Sequence, residues 1–95
     1  MSTYFITRHK GAVDWAGNRG IEAQLVEHLD TGLIKQDDKV LGTLPVSIAA
    51  EVCERGGRYF HLTLNMPKER RGDELSAEDM EAFGAELEEY EVRRV

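Results

Sequence analysis

One cysteine, two prolines and one tryptophan leave this 95-residue chain with few of the devices that staple small domains. Cys53 has no partner for an internal disulfide, and no Cys/His grouping has the spacing of a structural zinc site. His9, His28 and His61 fall on separate predicted elements without clustered carboxylates, so no metal and no other cofactor is expected. There is no Walker loop, no GxGxxG fingerprint, no internal repeat and no low-complexity stretch. No apolar run approaches bilayer length, and Met1 to Ile6 carry no basic leader. The expectation is one cytoplasmic domain over residues 1–95, without membrane contact, held together by a single chain's worth of apolar burial.

What is abundant is charge, unevenly spread. Eighteen acids against twelve bases give −6. Eight of those acids lie between Glu74 and Glu91 with no base among them, leaving 12 bases against 10 acids elsewhere. Duplex binding depends on broad neutralisation of phosphates, so no duplex nucleic acid is expected as a partner. A small anionic ligand in a local basic pocket is still allowed.

The pattern along the chain alternates strand and helix. Tyr4 to Thr7, Ala23 to His28, Lys39 to Thr43 and Arg58 to Leu64 read as strands bounded by polar turns and glycines. Ala12 to Asn18 reads as a helix stopped by Asn18 and Gly20. Pro45 to Arg55 reads as a second, with Val46, Ala49, Ala50 and Cys53 on one face and Gly56-Gly57 as a left-handed stop. Ser76, boxed with Asp79, should cap a third helix running to about Val92, its stripe formed by Met80, Phe83, Leu87 and Tyr90. The predicted fold is α/β: a small Rossmann-like three-layer domain with about four mostly parallel strands and three helices. The ten-residue link before Lys39 is near the lower limit for a parallel crossover, roughly 10–12 residues, which leaves room for one antiparallel strand.

In open α/β sheets, ligands bind outside the carboxyl ends of the strands. That rule selects the loops Thr7-Arg8-His9-Lys10-Gly11, His28-Leu29-Asp30, Gly42-Thr43-Leu44-Pro45, and Asn65-Met66-Pro67 with Arg70-Arg71 beyond. Arg8, His9 and Lys10 are consecutive donors just before a helix start, where free amides also favour anions. Gly42-Thr43 allows close backbone approach, and Arg70 and Arg71 can fork around phosphate. Blander readings compete at each position. The Arg-His-Lys loop suits an ordinary solvated connection, and Arg70-Arg71 could face Glu69, Asp73 and Glu74. His28 and Asp30 suit a strand-end cap, and His61 a hydrogen-bonded packing role. Cys53 suits the core, since a nucleophile would need an activating base. The acidic stretch suits solvent-facing surface or a dimer edge.

The opening Phe5-Ile6-Thr7-Arg8-His9-Lys10-Gly11-Ala12, His28-Leu29-Asp30 and the run Gly42-Thr43-Leu44-Pro45-Val46 resemble one family. So do Ala49 to Gly56, Tyr59-Phe60-His61-Leu62, and Arg71-Gly72-Asp73-Glu74-Leu75-Ser76. The family is the small Csx-type accessory proteins of type III CRISPR systems, and the resemblance runs from Tyr4 to Tyr90. It implies a homodimeric ring nuclease that opens cyclic oligoadenylate, most commonly cyclic tetra-adenylate, to switch off antiviral signalling. It implies a site in the opening loop and the Gly-Thr-Leu-Pro turn. On that basis Arg8, His9, Lys10 and Thr43 are the catalytic candidates. Thr7, Gly11, Gly42, Leu44, Pro45, Asn65, Arg70 and Arg71 are the ligand-binding ones. The alternatives are a non-catalytic sensor or sponge for the same ring, and a docking subunit that uses the acidic last helix.

Overall fold

The structure, a computed structural model, describes residues 1–95. Its elements are β1 (Thr3–Ile6), α1 (Lys10–Asn18), β2 (Gln24–Val26), β3 (Lys39–Gly42), α2 (Val46–Glu54), β4 (Arg58–Thr63), α3 (Ala77–Ala82) and β5 (Glu86–Tyr90). Single 3-10 turns occupy Thr31–Leu33 and Lys68–Arg70. The five strands form one sheet in the order β2-β1-β3-β4-β5. The first four run parallel and β5 is antiparallel to β4.

Successive residues of a strand face opposite sides, and here both sides are covered. On one side Phe5, Leu41, Met80 and Ala85 pack with Ala12, Trp15 and Ala16 of α1. On the other, Val40 and Tyr59 pack with Ala49 and Val52 of α2 and with Ile34. The three-layer Rossmann-like arrangement follows from that alternation. α2 buries Ala49, Ala50 and Val52; Cys53 is only half-buried, and Val46 is 76% exposed at the helix start. The buried face therefore keeps Ala49 and Ala50 and takes Val52 in place of Val46 and Cys53. Gly56, at φ 86°, ends α2, and the Gly57 amide returns to the Val52 carbonyl.

The long terminal helix does not form. Ser76 and Asp79 do make a full capping box, each side chain accepting the other's backbone N–H at 3.1 Å. The helix then stops after six residues, because Gly84 takes a left-handed φ of 72° and the Ala85 amide closes back on Met80. From Glu86 the alternation of Leu87 between glutamates suits a strand with one buried side. Leu87 sits opposite Leu62 and packs on the first core, while Tyr90 sits opposite Tyr59. The antiparallel strand is therefore this fifth one. The short link before Lys39 carries the chain from β2 across β1 to β3, and all three are parallel.

Candidate functional site

Strand order determines where a ligand fits. From β1 the chain steps through α1 to β2 on one flank, and from β3 through α2 to β4 on the other. The order therefore reverses between β1 and β3, and the loops leaving these strands diverge to opposite sides of the sheet. A crevice at such a switch point is the usual ligand position in open α/β folds. Here it is a cleft of about 460 Å³. Thr7, Arg8 and His9 from the end of β1, and Gly42 and Thr43 from the end of β3, line it together.

Local sequence explains how they get there. The His9 amide donates to Thr7 Oγ1 at 3.1 Å, folding the loop into a tight turn before α1. No side chain caps the start of α1; the Ala12 amide returns to the His9 carbonyl, and the exposed Lys10 amide is the one open to an anion. The Arg8 guanidinium donates to His28 Nε2 at 3.3 Å, which makes that nitrogen the acceptor of the ring. Arg8 forms no ion pair with any carboxylate. At β3, Gly42 adopts φ 151° beside the backbone of Ile6, where an added Cβ would lie 2.9 Å from the Ile6 carbonyl oxygen. Glycine there lets the two strand ends close on each other. The Leu44 amide donates to the Tyr59 hydroxyl at 2.9 Å, and that hydroxyl lies 2.6 Å from His61 Nδ1. Burial pushes the Tyr59 phenol above its ordinary range. This network anchors the loop that carries Thr43.

The remaining predicted residues sit elsewhere. Lys10 is exposed on the first turn of α1, outside the cleft lining. Gly11 is buried under the Leu75 carbonyl, where a Cβ would overlap that oxygen, so its absent side chain serves packing. Leu44 packs against the second core, and Pro45 is the exposed residue preceding α2. Asn65 is exposed and holds the Phe83 carbonyl through its amide. Arg70 is occupied: Nε donates to Asp73 at 3.0 Å and a terminal nitrogen to Asp79 at 3.1 Å, with Phe83 5.6 Å beneath the guanidinium. Arg71 is exposed and forms no ion pair.

Residues outside the selected loops, together with Met66 from one of them, complete the cleft. Leu62 and Leu64 of β4 and its continuation, with Met66, Leu75 and Met80, make an apolar wall; Glu27 and Asp73 add carboxylates. The wall was hidden because these residues also read as strand and core. Its usable signal is the parity of β4: Phe60, Leu62 and Leu64 share one side, and the last two extend past the edge of β3. His61 takes the hydrogen-bonded packing role. Asp30 caps a 3-10 turn through the Gly32 amide at 2.9 Å. No three His, Cys, Asp or Glu side chains gather as a metal-ligand group.

Residues 4–93 match the family described as "Putative CRISPR-associated protein (Cas_VVA1548)". The chain belongs to this family. It is thus a small CRISPR-associated accessory protein, and the match covers every strand and helix named above except the first residue of β1. No curated protein and no solved structure matches it. No helix of this family member is long and apolar enough to cross a membrane.

Proposed function

We propose that this CRISPR-associated protein is a ring nuclease that binds cyclic oligoadenylate, cyclic tetra-adenylate being the expected ring, and linearises it to end type III antiviral signalling. The observation that carries this reading is Arg8: a cation without a carboxylate partner, at the sheet's switch point, among Thr7, His9, Thr43 and an uncapped helix start. Such a set suits a phosphodiester.

The chemistry asks little of the protein. The 2′-hydroxyl next to the scissile linkage attacks phosphorus, the bond from phosphorus to the 5′ oxygen breaks, and a 2′,3′-cyclic phosphate and a 5′-hydroxyl result. No water is consumed. Holding the attacking oxygen in line with the leaving oxygen supplies much of the rate. Arg8 stabilises the charge that grows on the phosphoryl oxygens, with Lys10 contributing from the adjoining helix turn. His9 delivers a proton to the 5′ oxygen or orients the 2′-hydroxyl. Thr43 donates to a phosphate oxygen or ribose. A two-fold homodimer would present each loop twice to a ring of repeated symmetry.

The test is incubation with labelled cyclic tetra-adenylate, with and without EDTA, followed by separation of the products. Linear fragments ending in 2′,3′-cyclic phosphate, undiminished by EDTA, are expected. An intact ring after long incubation at enzyme excess overturns cleavage. One feature favours a second reading, a sponge or sensor that binds without cutting: the His9 imidazole has no hydrogen-bond partner to orient it. Tight binding of an uncut ring would select it. The docking reading would use a short acidic helix and an edge strand in place of one long helix.

A further inference from the structure

The phosphate chemistry above uses only part of the cleft. Leu62, Leu64, Met66 and Leu75 form half-buried walls over the fully buried Phe5 and Met80, and a phosphodiester has no use for them. A nucleobase does: it has two apolar faces to sandwich and a polar edge to satisfy, and the Met66 thioether is suited to aromatic contact. On the same lining, the exposed Asp73 is tethered by one ion pair. Its Oδ2 receives Arg70 Nε at 3.0 Å, and Arg70 is itself tied to Asp79, the capping-box residue of α3. Oδ1 of Asp73 has no hydrogen-bond partner. A carboxylate only accepts hydrogen bonds, and facing an anionic ligand it is unfavourable unless a donor meets it.

We propose that the apolar arm is a nucleobase slot and that Asp73 accepts a hydrogen bond from the exocyclic amino group of the bound base, making it a specificity-determining residue. The inference rests on the reading of the cleft as a nucleotide site. Arg70 then acts as a positioning residue, holding one carboxylate oxygen so that the other meets a single donor.

Binding of two rings tests it: cyclic tetra-adenylate, and the same ring built from purine lacking the 6-amino group. Wild type should prefer the amino-bearing ring by about tenfold, the ordinary worth of a hydrogen bond to a charged group. Asp73→Ala should bind both rings equally. Asp73→Asn, which keeps a carbonyl acceptor, should retain part of the preference. Removing a negative charge strengthens both rings alike, so the ratio isolates the amino contact. An unchanged ratio in Asp73→Ala, with the ring still bound, overturns the base contact and leaves the ring-binding reading standing. Failure of the wild type to bind either ring overturns both.

Discussion

The cleft mouth and the α3–β5 flank handle charge in opposite ways. On the flank, arginines from earlier elements meet carboxylates of the acidic segment. Arg19 holds Glu81 at 2.7 and 2.9 Å, Arg58 holds Glu89 at 2.8 Å twice, and Arg70 reaches Asp79 at 3.1 Å. At the mouth, Arg8 has only an imidazole to donate to. Three acids of the block, Asp79, Glu81 and Glu89, are thus fastened to arginines, while Arg8 stands at the cleft without a carboxylate, where an anionic ligand can meet it. The difference separates charge that fastens elements together from charge that is available for binding.

The sharpest way to break that contrast is at the mouth. Arg8→Ala or His9→Ala should lower ring cleavage by at least about 100-fold, the usual loss for a charge-stabilising or acid–base group. A product assay checks this, and unchanged rates in both variants would move the site elsewhere. Gly11→Ala should come next, by a different route. Its Cβ meets the Leu75 carbonyl, so either α1 or the segment bearing Asp73 and Leu75 must shift; overpacking of this kind costs about 1–3 kcal/mol. A lowered Tm together with weaker ring binding would be the signature.

Acid should act on the held carboxylates, those of the flank and buried Asp38 beside β3. Backbone amides of Ser2 and Lys35 hold buried Asp38 below the ordinary carboxylate range, and the Ser76 amide with Arg70 does the same for Asp79. Arg19 lowers Glu81 and Arg58 lowers Glu89. Each has a depressed folded-state pKa, so its contribution is complete above the unfolded value near ~4 and fades as pH falls through the folded value. Tm measured against pH should therefore fall on the acid side, and Asp38→Asn should flatten the curve. The smallest effect belongs to Arg58→Ala. Both partners of that fork are nearly half exposed, so Tm should move only slightly at ordinary salt and not at all at high salt. A large drop would mean that β5 depends on the pair for its register.

Much of this was legible beforehand. Four parallel strands, the glycine stop after α2 and the Ser76–Asp79 box follow from local chemistry that acts over a few residues. β5 was not, because Met80, Phe83, Leu87 and Tyr90 also satisfy a helical period; only the left-handed Gly84 and pairing with a distant strand decide the matter. For the site, Thr7, Arg8, His9, Gly42 and Thr43 come together because they end adjacent strands. Arg70 follows the competing reading of a pair facing acids: Asp73 was among the partners named, and Asp79 was not, because the α3 cap brings it close only in the fold. The apolar wall stayed hidden since Leu62 and Leu64 serve strand and cleft at once.

Neither margin of the sheet is suited to pairing with a further strand. β5 carries Glu86, Glu88 and Glu89 within five residues, and β2, the other margin, is three residues long. Two β5 strands laid side by side from separate copies would set glutamate against glutamate, and β2 offers too few amides to hold a partner strand. The sheet is thus closed to lateral growth at both ends. A homodimer of the kind proposed above would have to form through loops and helices instead of by extending the sheet.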